Sequence, residues 1–141
     1  MRLLFIIAAA VFVIGSYAHA ADGKEPTRPA AGQEVSPEYF RWLKREFGFK
    51  CQEEIKKEVT YNMRAPGIFY GKNEMDSINF LLEFNRYNSK VAHDSTISMI
   101  GEKAELQNDY GNWVQAHYLC EINIDTQTVT RAFAQTGRWS F

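Results

Sequence analysis

The chain has little of several things that would identify a familiar chemistry. Its 141 residues hold two cysteines and three histidines, and none of the usual zinc-ligand spacings occurs among them. There is no glycine-rich phosphate loop and no Gly-x-Ser-x-Gly elbow. No repeat or low-complexity block is present. Charge of one sign is also missing: 16 basic residues stand against 17 acidic ones, which argues against a nucleic-acid binder with its basic face. The longest apolar run, Leu3 to Ile14, is well short of the roughly 20 residues that span a bilayer.

That run has another reading. Arg2 precedes it, and Gly15-Ser16-Tyr17 leads from it to Ala18-His19-Ala20, with small residues where signal peptidase cuts. The expectation is a signal peptide over 1–20, cleaved near Ala20, and a periplasmic or secreted protein without stable membrane insertion. The alternative is an uncleaved anchor. No cysteine precedes Cys51, so a lipoprotein attachment point is lacking. Residues 21–35 carry Gly23, Pro26, Pro29, Gly32 and several alanines. With so little to bury, they read as a flexible linker. Residues 36–141 are then a single domain.

Ser36-Pro37-Glu38 is a helix start, with a capping hydroxyl, proline in the first turn and an acid behind it. Phe40, Leu43, Phe47, Cys51, Ile55 and Val59 follow at three- and four-residue steps and line one helix face. Gly48 is a possible break, since glycine costs about 1 kcal/mol in a helix. Ala65-Pro66-Gly67 ends the helical region.

Strands come next. Ile68-Phe69-Tyr70 is a candidate edge strand, and Ile78, Phe80, Leu82 and Phe84 alternate with Ser77, Asn79, Leu81 and Glu83. Asn85 to Lys90 is turn-like. Thr96 to Leu106 changes phase near Gly101, which predicts a bulge. Asn108 to Asn112 is the hairpin loop into the clearest strand of all. There Val114, Ala116, Tyr118, Cys120, Ile122 and Ile124 are apolar, and the intervening residues are polar except Leu119. This is the pattern of a strand buried on one face. Thr128 to Gln135 is the last strand. The fold class is α+β: an N-terminal helical region packed on an antiparallel meander of about four strands.

In an exported chain two cysteines most economically form one disulfide. Cys51 on the helix and Cys120 on the strand belong to facing layers. Closing the long loop between them contributes about 4 kcal/mol in the chain-entropy model.

Cys51 followed by Ile55 and Val59, then Ala65-Pro66 and Phe69, forms one signature. Gly101 to Trp113 with the Asn-containing aromatic-Gly turn, then Tyr118-Leu119-Cys120, forms a second. Together they resemble a widespread family of small bacterial exported proteins. The resemblance spans roughly Cys51 to Phe133, and Asp109-Tyr110 stands where it would lead one to expect Ser-Phe. It implies the same fold and disulfide and implies no activity, cofactor or site.

Candidate chemistry is thin. His93 beside Asp94 is a conceivable base–acid pair, and His117 lies on the polar face of the central strand. Neighbours in sequence rarely face each other productively, so a solvated loop is the simpler reading of His93. Paired cysteines leave no thiolate nucleophile. An aromatic content of 14% is the remaining oddity. Tyr39, Trp42, Tyr70, Tyr110, Trp113 and Trp139 have no core role by pattern. Tyr110 and Trp113, with Asn108, Asp109 and Asn112 at their rim, either form a recognition surface or cap the open end of the core.

Three functions are compatible with this reading. The first is a non-enzymatic interaction module for an envelope or extracellular protein or a wall component. The second is an inhibitor of a periplasmic or host hydrolase, and the third is a small hydrolase using His93 or His117. No cofactor or metal is expected. The export reading predicts a mature chain that begins at Ala21 and carries no lipid. The intact mass of protein recovered from periplasm or medium checks this, and a retained Met1 refutes it.

Overall fold

A computed structural model describes residues 23–65, 68–70 and 82–140. The expected signal segment and most of the strand expected at Ile78–Phe84 lie outside the described residues.

Helix α1, Pro37–Glu58, starts where the sequence predicts. The Ser36 hydroxyl accepts the Tyr39 backbone N–H at 3.1 Å. Glu38 lies at the positive end of the helix dipole, and Lys56 and Lys57 lie at the negative end. Gly48 does not split the helix. It is buried, and packing on either side of it outweighs its propensity cost. Phe40, Leu43, Phe47, Cys51, Ile55 and Val59 are all buried, as their spacing requires.

Among the described residues six strands form one antiparallel sheet. They are β1 (Met63–Ala65), β2 (Ile68–Tyr70), β3 (Arg86–Tyr87), β4 (Thr96–Gln107), β5 (Trp113–Asn123) and β6 (Thr128–Thr136). The order is β2-β1-β4-β5-β6, with β3 also paired to β4. Helix α1 lies across β6 and β5. The bond between Cys51 and Cys120 joins the two layers, with Cα atoms 5.7 Å apart.

Two details differ from expectation around β3. Leu82–Phe84 is not in a strand, and pairing begins at Arg86–Tyr87, where a turn was expected. The cause is the pair of asparagines that made this stretch look turn-like. Asn85 Oδ1 accepts the Glu102 N–H at 3.1 Å, and Asn88 Oδ1 accepts the Ser98 N–H at 2.6 Å. Their amides thus supply the edge of β4 with bonds that a backbone ladder would otherwise make.

The bulge falls where predicted, with the register shifting between Gly101 and Ala104. Gly101 faces Tyr118 across the ladder, and a Cβ there would fall inside the Tyr118 ring. The ring therefore lies over the glycine. It stands nearly perpendicular to the Phe84 ring, with centroids 5.3 Å apart, and its hydroxyl donates to the Glu83 carbonyl.

Strand β5 corrects a second expectation, that only one of its faces is buried. Leu119 is 1% exposed and His117 5%, beside Ile100 at 0%. Register explains part of this. Ile100, Leu119 and Phe133 are directly opposite one another on β4, β5 and β6, so three apolar side chains share one row on the face away from α1. The His117 ring extends the row toward Trp139, with centroids 5.3 Å apart. Its Nδ1 meets the Gly137 carbonyl at 2.9 Å.

Residues 23–35 also differ from the free lead that their composition predicts. Gly32 N–H donates to the Val91 carbonyl, Val35 N–H to Ser89, and Val91 N–H to Gln33. The focus of this strap is Glu25. Its carboxylate takes Arg28 through two bonds of 2.7 and 2.8 Å, the Tyr39 hydroxyl at 2.7 Å and the Gln127 amide at 3.1 Å. Trp42 adds its indole N–H to the Gly23 carbonyl at 3.3 Å. Two aromatic residues without an assigned role, Tyr39 and Trp42, are thus the buried seat of the strap. Apolar patterning could not reveal it, because polar side chains carry the docking.

Two predictions follow from these contacts. Cys120→Ala should lower stability by about 2–5 kcal/mol in denaturant titrations, and the oxidised wild type should show no reactive thiol to a labelling reagent. The strap should respond to acid. The Arg28 guanidinium, with the Tyr39 and Gln127 bonds behind it, holds the Glu25 carboxyl below the usual carboxylate range. A lowered folded-state pKa contributes stability above the carboxylate range that is lost as pH falls through it. The Trp42 indole N–H resonance should therefore shift on acidification in the wild type. In Glu25→Gln it should hold its undocked position throughout.

Candidate functional site

The β4–β5 turn is built to hold its tip still. Gln107 and Trp113 are the last paired residues. Between them Asn108 Oδ1 accepts the backbone N–H groups of Tyr110 at 3.0 Å and Asn112 at 2.9 Å. Asn108 N–H donates to the Asn112 carbonyl at 2.9 Å, and Gly111 N–H to the Asn108 carbonyl at 3.0 Å. Gly111 takes φ 79°, which glycine adopts without a Cβ penalty. The Gln107 amide closes the loop onto the Gly111 carbonyl at 3.0 Å. Tyr110 stands at the tip, 88% exposed.

Trp113 has a different position. Its ring is half-buried and lies under the Arg64 guanidinium, 4.3 Å from the centroid. Arg64 is held in turn by Glu105 at 2.7 Å, and that partner keeps the Glu105 carboxyl below its ordinary range. Trp113 flanks the sheet and supports the loop from the side.

A second segment meets the loop. The chain leaves α1 through residues 59–62. There the Asn62 carbonyl accepts the Gln107 N–H at 2.9 Å, and the Asn62 amide donates to Gln107 Oε1 at 2.7 Å. Tyr61, 44% exposed, turns its hydroxyl to Asp109. That carboxylate, as hydrogen-bond acceptor and as a negative charge, pushes the Tyr61 pKa up. Between the two segments and the end of β6 lies a cleft of about 400 Å³, lined by residues 58–62, 106–110 and 134–136.

The structure therefore brings Asn108, Asp109 and Tyr110 to one cleft and leaves Asn112 and Trp113 outside its lining. Sequence reasoning missed Tyr61, Asn62, Glu58 and Gln135. The available signal was Thr60-Tyr61-Asn62, a polar–aromatic triplet directly after the last apolar residue of the helix stripe.

The candidate catalytic pair is not assembled. Asp94 Oδ1 accepts the Thr96 N–H at 3.1 Å within its own turn, and His93 beside it is exposed. His117 is buried far along β5. Among the described residues no group of three or more potential metal ligands occurs, and no helix is long and apolar enough to cross a membrane. No protein-family model, curated protein or solved structure matches the chain.

The loop geometry makes Asn108 its keystone. Asn108→Ala removes the acceptor of two backbone N–H groups, each bond contributing about 1 kcal/mol. Hydrogen exchange at the Tyr110 and Asn112 amides should accelerate about tenfold, while β5 amides such as Leu119 keep their protection.

Proposed function

We propose that this protein is an exported, non-enzymatic interaction module, with an envelope or extracellular protein or a wall component as its partner. The binding element is the hairpin tip at Tyr110. The observation that carries the reading is a nearly fully exposed tyrosine on a loop whose backbone is fixed by its own side chains. Tyrosine is a frequent binding anchor because it offers a large contact area and a polar end with few rotatable bonds. A loop ordered before binding loses less conformational freedom on association. Export is supported by the layout of residues 1–20 and by the suitability of a disulfide-bonded domain for an oxidising compartment.

Trp113 has a supporting part in this reading, because Arg64 already covers its ring. The two aromatic residues should therefore separate experimentally. Immobilised protein should capture a partner from envelope extract, and Tyr110→Ala should abolish capture with its melting temperature unchanged. Trp113→Ala should lower the melting temperature. Capture that persists in Tyr110→Ala removes the hairpin tip as the binding element.

A further inference from the structure

We infer that the cleft beside Tyr110 is a subsite for an uncharged saccharide. This deepens the proposed function and rests on the same loop.

The lining holds aromatic rings and polar groups, the two kinds of group that a sugar ring packs on and bonds to. Two tyrosine rings, Tyr61 and Tyr110, stand at the cleft and are exposed. A pyranose presents an apolar C–H face, which packs on the negative face of an aromatic ring and covers area that water otherwise wets. Around the rings are planar and hydroxylic polar groups. Those of Gln107 and Asn108 are already engaged and fix the wall. Among the described residues, the side chains of Glu58, Thr60, Gln135 and Thr136 have no intramolecular hydrogen bond or ion pair. They offer carboxylate, amide and hydroxyl partners to a ring of sugar hydroxyls.

Charge and polarity narrow the ligand. Among the described residues no Lys, Arg or His lines the cleft, while Glu58 and Asp109 do. An anionic sugar, a phosphate or a nucleic-acid strand would meet two carboxylates and no cation. A lipid tail would leave the polar lining unsatisfied. The cleft is at the small end of the range for small-ligand sites, which suits one or two sugar rings. A basic peptide is the competing ligand, since carboxylates and tyrosine faces also attract cations.

Isothermal titration of the purified, oxidised protein with neutral tri- and tetrasaccharides of the cello-, malto-, xylo- and chito- series tests the inference. Oligogalacturonate and oligolysine serve as charged comparisons. At least one neutral series should bind saturably. Tyr110→Ala should weaken that binding by about tenfold or more, Tyr110→Phe should retain most of it, and Gln135→Ala should weaken it with unchanged circular dichroism. Absence of binding by every neutral series at millimolar sugar overturns the inference, as does sugar binding that survives Tyr110→Ala. Tighter binding of oligolysine than of any neutral sugar assigns the cleft to a basic peptide instead. The proposed function fails on separate results: no capture of any partner from envelope extract removes the interaction module, and capture indifferent to Tyr110 removes the hairpin tip as its binding element, so the two failures are distinguishable.

Discussion

The bond between Cys51 and Cys120 fixes where the helix lies on the sheet, and the strap at its start and the cleft wall at its end take their positions from that. It sits about two turns before the end of α1, close to the point where the chain turns away to form one wall of the cleft. The opposite wall belongs to β4 and β6, the neighbours of the strand that carries Cys120. A helix held only by its apolar stripe can slide by a side-chain row at modest cost. A covalent tie between the stripe and the central strand removes that freedom, so Tyr61 and Asn62 meet Gln107 and Asp109 in one register.

Both ends of the helix are then fastened by polar side chains. At its start, Glu25 gathers Arg28, Tyr39 and Gln127 and draws the strap onto the β5–β6 turn. At its end, Asn62 and Gln107 join the helix exit to the hairpin. These contacts are exposed or part-buried, so each adds little stability alone. Their value lies in geometry. They hold a frame around a tip from which a single ring projects.

The parts legible in the sequence were those written as apolar periodicity. The stripe from Phe40 to Val59, the alternation from Val114 to Ile124, the phase change at Gly101 and the asparagine-rich hairpin all have a repeat or a turn residue that announces them. The parts that escaped are held by polar groups or by very short pairing. β1 is three residues long, too short to show a period. β3 depends on Asn85 and Asn88, whose amides read as a turn. The strap has no apolar pattern because its seat, Tyr39 and Trp42, belongs to the helix. Burial of Leu119 and His117 was hidden because alternation describes one strand at a time, whereas the row with Ile100 and Phe133 exists only once three strands are in register. At the candidate site the hairpin half was legible and the helix-exit half was not, since Tyr61 gains its meaning from a loop far along the chain.

The placement of α1 has a consequence for how the chain comes to be folded. Among the described residues the helix is the first regular element made, yet the surface that it covers, β5 and β6, is among the last. Before those strands exist, an amphipathic helix of this kind has only its own weak propensity to support it. The three long strands can zip together locally, hairpin by hairpin, whereas helix docking must close a long loop and waits for them. A nascent chain with its parts in this order therefore stays open until its final third has emerged, and it remains threadable through a narrow channel for nearly the whole of its synthesis.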